Sequence, residues 1–306
     1  MANIHAHQKA LMGKKDIYIR RITPYLYIAP AFILIAIFLV APFYTALTKA
    51  FYRYDLVNVD EFVGIQNFVK LFTSDPKFLI SLRNLLYILA GFLVCFQFPL
   101  IAAKLTHSLA SDRLQYWFRS FFMIPLGVPG IVSLFMWKFI YYPEVGALSR
   151  ILGFFNVAAP NMLGNPRFVM IAIILMGFPW VAGLNYIINF AALQEIDISI
   201  SDAADLDGAG YFAKFFRVEL PLIMPQLKAL LILGLIGTVQ DYERFLLLTG
   251  GGPMNRTLVP GLHMFNMAFG RGEANYGYAC AISLVLLAIN LLGVSLFLKF
   301  GKSEED

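Results

Sequence analysis

Six apolar runs alternate with polar segments along the chain, at about 24–51, 82–105, 120–142, 168–193, 227–248 and 276–300. Each exceeds the ~20 residues that a helix needs to cross a bilayer. None alternates apolar and polar with period two, as a barrel strand would. The pattern predicts an all-α membrane bundle of six transmembrane helices. Pro125, Gly127 and Pro129 predict a kink in the third run. The first run is too long for a signal-peptide core and lacks a following Ala-x-Ala site, so it is read as an uncleaved span. The reading divides the chain into a polar N-terminal segment (1–23), a membrane domain (24–300) and a short charged tail (301–306). Within the domain, residues 52–80 are mixed and polar, 143–167 form a Pro- and Gly-rich connecting loop, and a Gly-rich loop runs from the fifth span to about Asn275.

Composition agrees. The 306 residues are 59% hydrophobic and 14% charged, with mean hydropathy +0.70. Soluble domains are about half apolar and about a quarter charged. The solvent for this surface is membrane lipid. The net charge of +5 is membrane-flanking charge; no basic run is interleaved with aromatics, which argues against a nucleic-acid partner. Lys9, Lys14, Lys15, Arg20 and Arg21 precede the first span. The positive-inside rule then puts both termini, and the polar loop near residue 210, on the cytoplasmic side of a multi-pass protein in the cytoplasmic (inner) membrane. Cys95 and Cys280 lie within apolar runs and read as buried, inert thiols.

That loop, about 195–225, is the densest polar stretch between residue 168 and the chain end. It reads Ser201-Asp202-Ala203-Ala204-Asp205-Leu206-Asp207-Gly208-Ala209-Gly210, then Phe215-Phe216, Leu220-Pro221 and Pro225. Ser201 is predicted to cap a short helix, with Asp202 and Asp205 in its first turn, where negative charge suits the helix dipole. Gly208 allows a left-handed helix end and Gly210 a further bend. A second short helix is predicted over Tyr211–Val218, ended by Pro221, with Pro225 opening the next span. These residues suit a docking surface for a soluble partner and an ordinary solvated connection equally well.

The wording resembles the coupling loop of ABC-importer permeases, whose signature runs Glu-Ala-Ala, Asp-Gly-Ala, Leu-Pro. Ala203, Ala204, Asp207, Gly208, Ala209, Phe216, Leu220, Pro221 and Pro225 match; Asp202 stands where the family has Glu, one methylene shorter. Further stretches resemble the carbohydrate-uptake branch: Phe62-Val63-Gly64-Ile65-Gln66-Asn67-Phe68, Asn84, Pro125, Pro129, Ser133 and Trp137, Tyr142-Pro143 with Gly146, and Thr249-Gly250-Gly251-Gly252-Pro253 with Thr257. The likeness covers about 24–300. It implies a type I ABC importer permease fold with cytoplasmic coupling helices, and a role in moving a sugar or sugar-like solute. It implies as partners a second homologous permease subunit, two ATPase subunits that bind ATP and Mg, one of them docked on Asp202–Pro221, and an extracytoplasmic solute-binding protein. Gly251, Gly252, Pro253 and Thr257 would belong to the outer loop facing that binding protein. No cofactor is expected in this chain.

Charges inside the fifth run are the other sharp feature: Asp241, Glu243 and Arg244, beside Gln240. Ionisable groups at membrane depth are costly unless paired or facing water. Asp241 and Arg244, three apart, can pair on one helix face. They form either a structural ion pair or, with Asn185, Tyr186 and Asn189 of the fourth run, the wall of a solute path. Trp180 suits stacking on a sugar ring or an interfacial position. No phosphate-loop string, zinc-spaced Cys/His set or nucleophile elbow occurs, so the chain is read as no enzyme and no metal protein. The competing reading is a self-sufficient secondary transporter, which predicts internal repeats and ion sites; no repeat is visible.

Overall fold

The computed structural model describes residues 14–181, 183–270 and 274–300. The expectations for residues 1–13 and 301–306 lie outside the described residues. The first apolar run is continuous: α1 (Lys14–Ile35) passes through a π-helical stretch, Ala36–Val40, into α2 (Ala41–Lys49). Apolar on all sides and unburied over Thr23–Lys49, it has the character of a helix solvated by lipid. A small antiparallel hairpin follows, β1 (Tyr52–Tyr54) and β2 (Asp60–Phe62), with Tyr52 opposite Phe62. After α3 (Gln66–Thr73), Asp75 caps α4 (Pro76–Cys95) by accepting the Phe78 N–H. A one-residue break at Phe96 leads into α5 (Gln97–His107), and the two together form a 32-residue span.

The third run turns a corner. α6 (Asp112–Met123) and the 3-10 turn Ile124–Gly127 meet α7 (Gly130–Ile140) at 95°. The predicted kink is there, because Pro125 and Pro129 remove N–H donors at successive turns. The segment predicted as loop after it contains α8 (Ala147–Phe154).

The fourth run is not the single span expected. It divides into α9 (Val169–Leu175) and α10 (Leu184–Gln194). Between them Gly177 and Gly183 take φ of +87° and +101°, and Trp180 takes +56°; with Pro179 these end one helix and reorient the next. The carbonyls freed by the break are met locally: Trp180 Nε1 donates to Ile174 O at 3.2 Å and Met176 O at 3.0 Å. Irregular backbone at membrane depth needs such partners.

After the polar loop, with its helices α11 (Ile198–Leu206), α12 (Tyr211–Lys214) and α13 (Leu220–Leu222), comes α14 (Met224–Gln240). It ends where Asp241 turns extended, and α15 (Glu243–Thr249) resumes. The predicted Gly-rich loop holds a buried helix, α16 (Pro260–Phe269), and α17 (Tyr276–Phe300) closes the bundle, coinciding with the sixth run. Among the described residues, three helices are long and apolar enough to span alone, and five if each of two bent pairs counts as one span. Three apolar cores hold the assembly. One joins α4, α9, α15 and α16 around Ile173, Phe245 and Leu262. A second joins α5, α10 and α14 around Ala103, Phe190 and Leu227. A third joins α3, α4 and α17 around Leu71, Phe78 and Ile282.

Candidate functional site

The polar loop is a helical hairpin. The cap of α11 is Asp197, which accepts the Ser199 N–H at 2.8 Å. Those hydrogen bonds from Ser199 hold the Asp197 carboxyl below its ordinary range. Ser201, the predicted cap, lies inside the helix. The helix begins earlier because Asp197 is as good a cap and opens the same amphipathic segment. At the other end Asp207 is the last half-helical residue and Gly208 takes φ +75°. Gly208 N–H donates to Asp205 O at 3.1 Å and Ala209 N–H to Ala204 O at 3.0 Å. This is a Schellman termination, with buried Ala204 packed under the turn.

The second arm begins at α12 and continues through a π stretch, Phe215–Glu219, into α13. Pro221 was expected to end this helix but lies within α13; the π stretch carries the chain past a residue that has no N–H. The arm ends at Ile223, where it meets α14 at 71°, and Pro225 sits in the first turn of α14 as predicted. Lys214 Nζ binds both oxygens of Asp205, at 2.8 and 2.9 Å, and locks the two arms together. Asp202, Ala203, Asp207, Gly208, Phe216 and Pro221 are exposed, and Ala209 and Leu220 half-buried. Apolar tips are uncovered on both arms: Leu206 is 90% exposed and Phe212 74%. A polar hairpin with uncovered apolar tips has the make-up of a docking surface. Missed from sequence was the contact behind it, where Lys104 of α5 pairs with Glu219; the two lie 115 residues apart and neither belongs to a motif.

The charged break holds the predicted pair. Arg244 Nη2 meets Asp241 Oδ2 at 2.8 Å, each about a quarter exposed. The pair straddles a helix interruption and not one continuous helix face: Asp241 ends α14 and Arg244 lies in the first turn of α15. Arg244 lines a cavity of about 150 Å³ with Phe92, Cys95, Ile174, Trp180 and Thr238. Gln240 and Glu243 are exposed. Asn185 is half-buried, and Tyr186 and Asn189 are buried in the α5–α10–α14 core, with Tyr186 against Phe122 at 4.9 Å. The structure therefore brings Trp180 and Thr238 to Arg244, and leaves Asn185, Tyr186 and Asn189 outside the cavity walls. The Asn189 amide has no hydrogen-bond partner among the described residues.

The Gly-Gly-Pro loop is tightly built. Gly250 and Gly251 take φ of +60° and +90°. Thr257 Oγ1 donates to Gly252 O at 2.8 Å and meets Thr249 Oγ1 at 2.7 Å. Asn84, buried in α4, donates to Asn255 O at 2.8 Å and Leu258 O at 2.9 Å. Gly251 and Thr257 are buried, Gly252 and Pro253 half-buried, and Met254 is the exposed tip.

A second polar cluster, around the buried His263 and Tyr278, was invisible in the sequence. Asp75 Oδ2 is met by His263 Nε2 at 2.7 Å and accepts the Tyr278 hydroxyl at 2.8 Å. Burial pushes the Asp75 carboxyl up, but the hydrogen bonds from His263, Tyr278 and the Phe78 N–H outweigh it and hold the group below its ordinary 3.8.

Apolar helices interrupted around a cavity that holds Arg244, with an exposed helical hairpin between two of them, define a polytopic membrane component. Residues 97–302 match the family described as "Binding-protein-dependent transport system inner membrane component", and the chain belongs to it. It is 30% identical to the probable ABC transporter permease protein YesP of Bacillus subtilis over 283 residues, 90% of each chain. It is 28% identical to the trehalose/maltose transport system permease protein MalF of Thermococcus litoralis over 292 residues, 92% of this chain and 94% of that one. The fold matches a chain of a bacterial ABC transporter involved in the import of the acidic polysaccharide alginate, with TM-score 0.81 at 20% identity, covering 96% of this chain and all of that one. The fold is that of an ABC-importer permease, and the chain is the inner-membrane permease component of a transport system.

Proposed function

We propose that this chain is one of two permease subunits of an importer for a sugar or oligosaccharide, driven by ATP hydrolysis on two partner ATPases. One ATPase docks on the 198–222 hairpin, which faces the cytoplasm with both chain termini. A second, homologous permease completes the pore, and an extracytoplasmic binding protein delivers solute to the face that carries Met254. ATP and Mg stay with the ATPases. The observation that carries the reading is the hairpin itself: a Schellman-terminated helix, bridged by Lys214–Asp205, that leaves Leu206 and Phe212 uncovered. The sugar assignment rests on the relatives, among them a trehalose/maltose permease protein. Arg244, with Asp241, is the polar wall of the solute path in this reading. Two variants of the complex, purified through this chain, test it. Leu206→Asp places a charge where an apolar tip meets the ATPase and is expected to strip the ATPase from the complex. Arg244→Ala is expected to keep the ATPase but lose uptake in a panel of labelled sugars. Uptake by this chain with no ATPase present would refute the reading in favour of a self-sufficient transporter.

A further inference from the structure

Among the described residues, Lys104 and Glu219 are the only buried Lys, Arg, Asp or Glu. They face each other. Lys104 Nζ donates to Glu219 Oε1 at 2.7 Å and lies 2.5 Å from Oε2, which has no hydrogen-bond partner among the described residues. Burying two charges costs more in lost hydration than an apolar pair of the same size would, so such a pair adds little stability. It does fix geometry: removing one partner strands the other in an apolar setting, and only one register of the two elements makes the pair.

The elements it registers are telling. Glu219 ends the π stretch of the second hairpin arm, just before the 71° bend into α14. Lys104 sits near the end of α5. The same ammonium lies 5.0 Å from the Tyr211 ring and 5.8 Å from the Phe215 ring, within reach of cation–π attraction. One turn along α5, the Ser108 hydroxyl meets the Tyr211 hydroxyl at 3.1 Å. The arm is thus tied to α5 at its start by Tyr211 and at its end by Glu219, with Lys104 in both contacts. α5 continues through Phe96 into α4, and α4 supplies Gly91, Phe92 and Cys95 to the cavity that holds Arg244.

We propose that Lys104–Glu219 is the link through which displacement of the 211–222 arm is delivered to α5, and so to the α4 wall of the cavity, making both positioning residues for transport. The inference rests on the reading of the hairpin as the ATPase-docking element. The arm also packs on α14 through the apolar core around Ile223 and Leu227, but the helix breaks at Ile223. The pair bridges from the near side of that break to a different helix.

The test needs no knowledge of the solute. Cys95 lines the cavity, and Cys280 is the only other cysteine. In a Cys280→Ser background, the complex purified through this chain with its ATPases is placed in nanodiscs. A small methanethiosulfonate reagent is added with and without ATP and vanadate, and labelling of Cys95 is read by mass spectrometry. In the parent, ATP–vanadate is expected to change the Cys95 rate by about threefold or more, as a shift between two populated states would. Glu219→Gln and Lys104→Met are each expected to abolish that response while the ATPase stays bound. The exchanged pair, Lys104→Glu with Glu219→Lys, is expected to restore it. A parental response in Glu219→Gln and Lys104→Met, or no response in the parent, overturns the proposal. So does failure of the exchanged pair to recover any response when it assembles normally. Gly208→Glu in the same series separates the two ideas. If it keeps its ATPase, the docking reading fails; if it loses the ATPase while Glu219→Gln responds normally, only the link fails.

Discussion

Gly208 is where backbone and partner effects can be pulled apart. It has φ +75°, and a Cβ built there meets no atom within 4 Å. A Cβ there therefore costs this chain nothing in packing. The cost is conformational: about 1–2 kcal/mol for an ordinary L-residue held in the left-handed region, and less for asparagine, which enters it more readily. If the turn opens instead, two hydrogen bonds are lost, Gly208 N–H to Asp205 O and Ala209 N–H to Ala204 O. Each is worth about 1 kcal/mol net, so the damage inside the chain is capped near the same value by either route. Gly208→Ala and Gly208→Glu carry the same backbone cost, and any difference between them belongs to the partner. A carboxylate forced into a docked, partly desolvated contact costs about 2–5 kcal/mol, which is roughly thirtyfold or more in affinity. The assay is the fraction of ATPase retained on the complex across a dilution series, beside sugar uptake in proteoliposomes. Gly208→Asn is expected to bind and transport close to the parent. Gly208→Ala should weaken retention about tenfold or somewhat more, and Gly208→Glu should abolish it with membrane insertion unchanged. Equal retention in the alanine and glutamate variants would refute the reasoning, because it would leave no partner near Gly208.

Asp75 and Asn84 give two tests away from the hairpin. Asp75→Ala removes the α4 cap and leaves the buried His263 and Tyr278 polar groups unpaired, which should lower stability by about 2–4 kcal/mol in a thermal melt of the detergent-solubilised chain. Since the folded-state carboxyl is depressed, its contribution is present above the ordinary 3.8 and lost as pH falls through the lower folded-state value. The gap between parent and Asp75→Ala melting temperatures should therefore be full at neutral pH and shrink only in strong acid; a gap that widened on acidification would contradict the assignment. Asn84→Ala leaves Asn255 O and Leu258 O without their donor. The Gly-Gly-Pro loop should loosen, read as faster tryptic cleavage after exposed Arg256, and unchanged cleavage would show that the loop holds itself.

The membrane-spanning character was legible because it depends on runs of residues, and a bilayer-length apolar run has few other uses. The hairpin was legible down to Gly208, since a left-handed helix end has a local chemical requirement. Local signals also competed. Asp197 and Ser201 are both good caps, and only the length of the packed helix decides between them. In the fourth run, Gly177, Pro179 and Gly183 are breakers that sequence reading passed over because their neighbours are uniformly apolar; the break survives because Trp180 can return its N–H to two freed carbonyls. The contacts with no local signature were not legible. His263 looks solitary until the fold brings it to Asp75, 188 residues away, and Lys104 looks like a flanking charge until Glu219 reaches it.

The interruptions in the helices converge. The break after Met176 brings Trp180 to the cavity and the break at Asp241 brings Arg244, while Cys95 reaches it from the Pro76–His107 span; all three side chains line the same space. Separate stretches of sequence have thus placed their irregular backbone around one cavity. That is the arrangement a membrane permits, because non-helical backbone at depth is tolerated only where protein or water covers it. The size of the cavity then matters. At about 150 Å³ it is smaller than the ~300–1,000 Å³ typical of small-molecule sites, and too small to enclose an oligosaccharide. In the proposed mechanism the path for such a solute is therefore made when these walls move apart, or when a second permease supplies the opposite wall. Two of the elements that form them, at Met176 and Asp241, are interrupted beside the cavity, whereas Pro76–His107 passes it as one span.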